Sequence, residues 1–312
     1  MMKINRLLLA TDFSDWADRA EEYACSLAAT WHAHLTIMTV LEFPPGLNPE
    51  YAVNHEYLTH RMTEATEQLA AFKQRALHWG ITVSTRIATG IPSEAIHAAA
   101  QAEDSDLIIV GTRGKTGLAH VLLGSTAERV IRTAPCPVLA VHMAKDASTS
   151  DHGVRLERML VPIDFSDCSL DALEYAAIIA QQSKAHLSLL HVPEPVSYGL
   201  DFTMGHLAER ERGKEVIEKR LKDLVAAVTS AGIGADYALH AGIPRDAILE
   251  AAKNAATDVI VMGTHGRRGL SHIMAGSVTE NVLRTANCPV FTVRSPKFQR
   301  GHKPIIPRGQ VQ

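Results

Sequence analysis

The feature that most constrains the fold of this chain is that its sequence is written twice. Gly124 and Gly276 lie 152 positions apart, and the same offset relates Asp12 to Asp164. It also relates the Cys-Pro-Val tripeptide near the end of the first half to the one near the end of the second. An offset that stays constant over such a distance excludes chance matching and indicates two copies of one structural unit.

The length of the chain agrees with this reading. At about 150 residues per domain, a chain of 312 residues is expected to form two domains. A polar stretch separates the copies, and a segment rich in proline and basic residues follows the second. We therefore predict one domain at residues 1–145, a second at residues 155–295, and a mobile tail at residues 296–312.

Composition narrows the class of protein. Hydrophobic residues make up 46% and charged residues 21% of the chain, which is typical of a soluble globular protein. A net charge of −3 gives no basis for binding nucleic acid. The N-terminal apolar run is too short for a signal peptide or a membrane span. The four cysteines form no CxxC pair, which indicates free thiols in a reducing compartment. We expect a cytoplasmic protein with no membrane or nucleic-acid partner.

Strand and helix patterns alternate within each copy. Continuous apolar stretches at residues 7–10 and 107–110 predict strands that are buried on both faces. Apolar residues at helical spacing over residues 55–78 predict a long amphipathic helix. This alternation predicts two tandem Rossmann-like α/β domains, each with parallel strands between helices. Ligands of such sheets bind beyond the carboxyl ends of the strands.

A glycine-rich loop follows the fourth predicted strand of each copy. It reads GTRGKTGLAHVLLGST at residues 111–126 and GTHGRRGLSHIMAGSV at residues 263–278. Glycine allows a phosphate to approach the backbone, and the helix that follows adds N–H donors. A Walker A loop would need glycine where Ile109 stands, and a dinucleotide fingerprint would follow the first strand instead of the fourth.

The spacing Gly-x2-Gly-x9-Gly-Ser, together with the first-strand motifs ATDFS and PIDFS, resembles the universal stress protein family over nearly the whole chain. The resemblance implies an adenine-hydrolase-like fold with a five-stranded parallel sheet in each domain. It also implies ATP, with or without Mg²⁺, at the strand ends. Nucleoside contacts are implied for Asp12 and Asp164, and adenine contacts for the backbone at Val40 and Val192. Ribose and phosphate contacts are implied for Gly111, Gly114, Gly124, Ser125 and Thr126 in the first copy, and for Gly263, Gly266, Gly276, Ser277 and Val278 in the second.

The two sites differ after the serine. Val278 matches the residue common in ATP-binding relatives, whereas Thr126 departs from it and adds a hydroxyl that competes for local hydrogen bonds. The second site is therefore expected to bind the more tightly. His120 and His272 are interpreted as loop residues without a catalytic role. His32 has no counterpart in the second copy, so no metal site is assigned.

The resemblance favours a nucleotide-dependent stress sensor or regulator, with ATP or another adenine nucleotide as ligand. A slow ATPase or nucleotidyl-transfer enzyme and a non-binding interaction module remain alternatives. No residue is assigned a catalytic role. The short apolar strands at residues 138–141 and 290–293 are predicted to pair antiparallel about a pseudo-twofold axis, which would form an internal pseudo-dimer. A protein partner is expected but not identified, and a further homodimer is left open.

Overall fold

The computed structural model of the chain describes residues 3–42, 52–112, 123–142, 154, 156–193, 204–266, 276–294, 298 and 302–306, apart from the side chains at 15–16, 52–55 and 204–210. The elements of the first copy are β1 (Arg6–Ala10), α1 (Asp15–Trp31), β2 (His34–Leu41), α2 (Ala52–Leu77), β3 (Val83–Thr89), α3 (Pro92–Ala102), β4 (Leu107–Gly111), α4 (Ser125–Thr133) and β5 (Val138–Val141). Those of the second copy are β6 (Arg158–Pro162), α5 (Asp167–Ser183), β7 (His186–His191), α6 (Met204–Ser230), β8 (Ala235–Leu239), α7 (Pro244–Asn254), β9 (Val259–Gly263), α8 (Ser277–Thr285) and β10 (Val290–Val293).

The residues group into two compact units. The first unit consists of Lys3–Arg155 and Ala286–Lys297, and the second of Leu156–Thr285 with the C-terminal segment from Phe298. The strand β10 therefore groups with the first copy, although it closes the second in sequence. The two compact units follow the pairing of the strands, whereas the sequence repeat follows the order of the chain. The domain limits predicted from the repeat therefore stay a prediction.

The sheet of the first unit confirms the predicted parallel α/β fold. Its strands lie in the order β3-β2-β1-β4-β5-β10, and the pairs from β3 to β5 are all parallel. The central strand β1 pairs with β2 on one side and with β4 on the other, so that Leu8 stands opposite both Thr36 and Ile108. The strand order reverses at β1, and a sheet of this type binds ligands at such a point.

The second unit repeats this arrangement. Its strands lie in the order β9-β6-β7-β8, and all three pairs are parallel. The central strand β6 pairs with β7 and β9, as β1 pairs with β2 and β4. The switch point of the second copy therefore lies at the carboxyl end of β6.

Burial explains why the central strands have no polar alternation. Leu8 and Leu9 in β1 and Leu107, Ile108 and Ile109 in β4 are fully buried. A parallel strand covered by helices on both faces has to be apolar at every position, since either face would otherwise bury a polar group. Burying one such leucine or isoleucine contributes about 1.5–3 kcal/mol, and these strands therefore anchor the sheet.

The copies share backbone conformation as well as sequence. Phe13 and Phe165 both have positive φ, at 55° and 62°, and so do His32 and Lys184, at 53° and 57°. A positive φ is unusual for any residue other than glycine, and for a bulky side chain it marks a turn that the surrounding structure imposes. Both phenylalanine turns lie directly after the first strand of their copy, which is the edge where the ligand is expected.

The prediction that the last strands pair antiparallel is confirmed. Val290 stands opposite Ala140, and Phe291 stands opposite Leu139. The Thr292 hydroxyl donates a hydrogen bond to the Val138 carbonyl at 3.1 Å. This pairing covers the edge that β5 would otherwise leave open. The pseudo-twofold axis and the internal pseudo-dimer stay predictions.

The described residues of the C-terminal segment contact a buried carboxylate on α5. The Glu174 carboxylate is 1% exposed and accepts hydrogen bonds from the segment with both oxygens. Its Oε1 accepts from His302 Nε2 at 2.7 Å, and its Oε2 accepts from the Ile306 N–H at 2.9 Å. The Ile305 N–H lies 3.0 Å from each oxygen. A buried carboxylate without such donors would be costly, so the segment satisfies Glu174 on α5.

Aromatic stacking holds the same segment. The Phe298 ring lies 5.1 Å from the Tyr175 ring and 4.9 Å from the His302 ring, and both pairs are stacked. Ile306 is 1% exposed. Residues 298 and 302–306 therefore contact α5, and the mobile tail stays a prediction. No local sequence pattern marks this contact, because its partners lie more than a hundred positions apart.

Replacing Glu174 with glutamine should release the C-terminal segment. Glutamine has one acceptor oxygen where the carboxylate has two, so at least one of the three donors in the segment loses its acceptor, at a cost of about 1–3 kcal/mol. Trypsin should then cut after Arg300 faster than in the wild-type protein, and the free energy of unfolding should fall by a similar amount.

The matched control is Glu22→Gln, at the equivalent position of the first copy. Glu22 pairs there with Arg19 on a partly exposed helix surface. Loss of such a pair changes stability by less than about 1 kcal/mol. Equal cleavage rates in Glu174→Gln and Glu22→Gln would contradict the role given to Glu174.

Candidate functional site

A tight turn after β1 forms one wall of the first site. Asp12 Oδ1 accepts hydrogen bonds from the Ser14 N–H at 3.1 Å and from the Ser14 hydroxyl at 2.6 Å. The Phe13 N–H donates to the Thr11 hydroxyl at 3.0 Å. Ser14 is the N-cap residue of α1, but its hydroxyl donates to Asp12 instead of capping the helix. These bonds fix Asp12 in place at the carboxyl end of β1.

Backbone alternation places the polar groups of Val40 at the same edge. In a parallel strand, consecutive residues direct their N–H and C=O groups to opposite neighbours. The Met38 carbonyl accepts from the Thr11 N–H at 2.9 Å on the β1 side, and the Leu41 carbonyl accepts from the Gly90 N–H at 3.1 Å on the β3 side. Val40 therefore directs both groups to the β1 side, beyond the end of β1. A planar ligand edge with one donor and one acceptor would match this backbone.

The glycine-rich loop is closed at its base by a backbone hydrogen bond. The Gly124 N–H donates to the Thr112 carbonyl at 2.7 Å, so the loop begins and ends at one point of the sheet edge. Gly124 is the N-cap of α4, and its carbonyl accepts from the Glu128 N–H at 2.9 Å. The N–H groups of residues 125–127 therefore have no carbonyl partner within the helix, and the positive end of its dipole lies there.

These elements surround one cavity of about 380 Å³, a size typical of small-molecule sites. The sequence-predicted residues that line it are Asp12, Val40, Gly111, Gly124, Ser125 and Thr126. Gly114 lies outside the described residues, as do His120 and the basic residues of the loop. The structure thus brings together every predicted residue of the first site that it describes.

The helix α2 supplies lining residues that the sequence analysis missed. Arg61, Glu64 and Gln68 line the cavity, and Arg61 Nη1 lies 3.0 Å from Glu64 Oε2. These positions share one face of the helix, since residues three and four apart are neighbours on its surface. The buried Ala65 and Leu69 lie beside them, so this face could have been found next to the apolar stripe of the helix.

A buried carboxylate supports the turn from beneath. Glu21 is 6% exposed, and its Oε1 accepts from the Thr11 hydroxyl at 3.1 Å. Burial raises the pKa of Glu21 above its ordinary 4.5, and the hydrogen bond from Thr11 and the charge of Arg75 oppose that rise. Because Thr11 also accepts from Phe13, Glu21 helps to hold the turn that carries Asp12. The second copy has Ile163 and Leu173 at the positions of Thr11 and Glu21.

The second site repeats the first-strand turn. Asp164 Oδ1 accepts from the Ser166 N–H at 3.0 Å and from its hydroxyl at 2.6 Å. The Leu190 carbonyl accepts from the Ile163 N–H at 2.8 Å. By the alternation that applies to Val40, Val192 follows Leu190 by two residues and faces the β6 side. Asp164 and Val192 therefore occupy the same backbone positions as Asp12 and Val40.

The three motif glycines of the second copy have different physical roles. A Cβ on Gly263 would meet Cys168 Sγ at 2.7 Å and the Cys168 carbonyl oxygen at 2.8 Å, so this glycine lets α5 pack against β9. A Cβ on Gly266 would meet Asp164 Oδ2 at 2.7 Å, which places the loop against the carboxylate. A Cβ on Gly276 would meet nothing closer than the Thr264 carbonyl oxygen at 3.5 Å.

The start of α8 repeats the start of α4. The Gly276 N–H donates to the Thr264 carbonyl at 2.7 Å, and its own carbonyl accepts from the Glu280 N–H at 2.9 Å. Ser277 and Val278 are thus the first helical residues, with N–H groups that have no helical partner. The Thr279 hydroxyl donates to the Gly263 carbonyl at 2.9 Å, which ties the helix to the end of β9.

Aromatic and cationic groups contact Phe165, the residue that follows Asp164 in the chain. The guanidinium carbon of Arg220 lies 4.0 Å from the centre of the Phe165 ring, and the His191 ring lies 5.0 Å from the same ring. His191 is buried, and its Nδ1 donates to the Ile163 carbonyl at 2.6 Å, which fixes Nδ1 as the protonated nitrogen. The first copy has Gln68 and Thr39 at the positions of Arg220 and His191.

None of the four cysteines, all of which lie in the described ranges, forms a disulfide, and burial raises the pKa of the Cys25 thiol to about 12. Burial also raises the pKa of the Cys168 thiol.

None of the helices in the described ranges is both long and apolar enough to cross a membrane. Within those ranges, no group of three or more His, Cys, Asp or Glu side chains is arranged to hold a metal ion.

Substituting alanine for Gly263 should destabilise the fold, whereas the same change at Gly276 should not. The methyl group on Gly263 overlaps the first turn of α5, and overpacking of this kind costs about 1–3 kcal/mol. The methyl group on Gly276 has room, and we expect a change below about 1 kcal/mol. Denaturant unfolding of the two variants measures the difference, and equal losses would refute the packing role of Gly263.

The raised pKa of Glu21 predicts a pH-dependent contribution to stability. A folded-state pKa above 4.5 means that the protonated form favours folding, and this contribution is lost as the pH rises through the folded-state value. Glu21→Gln removes the titration. The stability of the variant relative to wild type should therefore increase from about pH 4 to about pH 7. A relative stability that is flat or falls over this range would contradict the assignment.

Comparison with known proteins gives a consistent family assignment. The sequence model of the universal stress protein family matches residues 3–142 and again residues 155–294. A universal stress protein of Methanocaldococcus jannaschii is 35% identical over 141 residues, covering 45% of this chain and 83% of its own length. A universal stress protein of Mycolicibacterium smegmatis is 29% identical over 299 residues, covering 92% of this chain and 96% of its own length.

A solved structure resembles the whole fold. The crystal structure of a universal stress protein from Archaeoglobus fulgidus superimposes with a TM-score of 0.69 at 23% identity, and the match covers 94% of this chain and 97% of that one. At this identity the likeness concerns the fold. The tandem arrangement is therefore shared with relatives of similar length.

Proposed function

The chain belongs to the universal stress protein family, and from that premise we propose that it binds adenine nucleotides, ATP foremost, and acts as a nucleotide-dependent regulator of a stress response. The observation that carries the proposal is the convergence of three kinds of group on the 380 Å³ cavity of the first copy. These are a strand-edge backbone pair, a fixed carboxylate and a helix N-terminus. Each matches one part of a nucleotide.

The base end is supported by the backbone of Val40. Its N–H and C=O both face the cavity side of β2, and adenine presents a donor and an acceptor side by side on its edge. Asp12 is held by Ser14 through Oδ1, so its carboxylate is oriented without a ligand. Hydroxyl donors of a ribose suit such an acceptor.

The phosphate end is supported by the start of α4. The N–H groups of residues 125–127 and the helix dipole favour an anion there. Ser125 and Thr126 add hydroxyls that line the cavity. Mg²⁺ binds mainly through substrate phosphates and retained waters, so in this proposal it accompanies ATP and needs no site of its own.

The proposal assigns no catalytic residue. The alternatives of a slow ATPase or nucleotidyl-transfer enzyme and of a non-binding interaction module remain, and turnover and binding measurements separate them. The four thiols form no disulfide, which supports a reducing compartment, and we propose the cytoplasm as the site of action. A protein that receives the nucleotide-dependent signal is part of the proposal, and an internal pseudo-dimer or a further homodimer would place two or more sites in one particle.

Valine at the last motif glycine should abolish nucleotide binding in the affected copy. The side chain of Gly124→Val or Gly276→Val would enter the space in front of the helix N-terminus, where phosphates are proposed to lie. Calorimetric titration with ATP and with AMP should show half the wild-type stoichiometry in each single variant and none in the double variant. Each single variant serves as the control for the other, and circular dichroism and thermal unfolding test that the fold is kept.

The Asp12→Asn substitution tests the proposed contact with the nucleoside. It is made in the Gly276→Val variant, so that only the first site can bind. Asparagine can keep the hydrogen bonds to Ser14 but removes the charge, and the loss of one charged hydrogen bond costs about 1.5–3 kcal/mol, or about ten- to a hundredfold in affinity.

Mass measurement of any molecule released on denaturing freshly purified protein identifies the natural ligand. Absence of adenine-nucleotide binding in the wild-type protein, or full stoichiometry in the double variant, would overturn the proposal.

A further inference from the structure

The two copies differ sharply at one position of their long helices. Gln68 in α2 and Arg220 in α6 are equivalent, because they immediately precede Leu69 and Leu221, which are both buried at the same offset. The helix registers are therefore the same on both sides, and only the side chain has changed. A neutral amide in the first copy corresponds to a planar cation in the second.

The two side chains meet different surroundings. Gln68 lines the cavity of the first site together with Asp12 and Phe13. Arg220 stacks on the ring of Phe165, and its Nε atom is buried. Phe165 directly follows Asp164 in the sequence. Phe165 is the counterpart of Phe13, which lines the first cavity, so the guanidinium lies against the residue that corresponds to that cavity wall.

The environment of Phe165 favours this stacked state. The ring is flanked by the guanidinium at 4.0 Å and by His191 at 5.0 Å. His191 is fixed by its hydrogen bond to Ile163, so it holds its side of the ring in place. In the first copy Thr39 stands at this position and has no ring to offer. A cation over a desolvated aromatic face is stabilised more strongly than one at an exposed site.

We propose that Arg220 is a built-in occupant of the second nucleotide site, which must leave the Phe165 ring before a nucleoside can bind there, so that the first site fills first. The inference rests on the proposed function. It reverses the order of affinities that Val278 suggested from the sequence. The binding-competent state of the second site is a minor population, and apparent affinity falls by that fraction. A stack worth about 2 kcal/mol corresponds to about 30-fold.

The test uses chains with one functional site. Gly276→Val keeps only the first site, and Gly124→Val keeps only the second. Calorimetric titration with ATP should show the second site binding about 30-fold more weakly than the first. Adding Arg220→Gln to Gly124→Val installs the residue of the first copy and should recover most of that difference. The reciprocal Gln68→Arg in Gly276→Val should weaken the first site.

A conservative variant separates two roles of the cation. If Arg220 instead held the phosphates, Arg220→Gln would weaken binding and Arg220→Lys would keep it. If Arg220 occupies the site, Arg220→Lys should tighten binding by less than Arg220→Gln does, since lysine keeps the charge but lacks the planar stack. Thermal unfolding of both variants identifies any loss of fold, and the lysine variant keeps the test decisive if the glutamine variant unfolds.

The outcomes distinguish this inference from the proposed function. If Gly276→Val binds ATP, but Arg220→Gln added to Gly124→Val leaves the affinity of the second site unchanged or weaker, the inference is overturned. The proposed function would still stand in that case. Equal affinities in Gly276→Val and Gly124→Val would also overturn the inference. If Gly276→Val binds no adenine nucleotide, the proposed function fails at the first site, where Arg220 plays no part.

Discussion

The candidate sites depend on the point at which the first strand of each copy leaves the sheet. β1 is held between β2 and β4 by parallel pairing and by the burial of its leucines, so its end is fixed in space. Beyond that end β2 continues with β3 as its neighbour on one side, and the backbone of Val40 faces the gap on the other. The turn at Phe13 keeps Asp12 at the edge of the gap instead of letting the chain extend. The described part of the cavity wall is thus formed by groups that the sheet holds in place.

The glycine-rich loop completes this arrangement from the other side of the switch point. The hydrogen bond between Gly124 and Thr112 returns the chain to the sheet edge, and α4 begins there with its N–H groups directed to the cavity. The same closure occurs at Gly276 and Thr264. The loop therefore need not be short, because its two ends are joined at the base. Gly124 has an ordinary φ of −69°, so its backbone conformation does not itself require glycine.

Duplication has kept the backbone and changed the side chains around it. The first site has Glu21 and Thr11 beneath its turn, whereas the second has leucine and isoleucine at those positions. The second site has Arg220 stacked on Phe165 where the first has an amide. The backbone can be shared because strand register and turn conformation determine it. The side chains at these positions are under no such constraint, so the two candidate sites share a backbone but differ in the side chains around it.

Local pattern was enough to predict the repeat, the alternation of strands and helices, the edge that carries the motifs and the family. These features depend on spacing along the chain, such as the interval between Gly124 and Gly276 or the unbroken apolar run of β4. Contacts between side chains distant in sequence were decided only by the tertiary structure. Neither the anchoring of the C-terminal segment on Glu174 nor the stacking of Arg220 on Phe165 has a local signal, because each partner pair is joined by packing between separate elements. The sequence therefore determined which edge of the sheet carries the motifs, and the tertiary structure decided which side chains surround that edge.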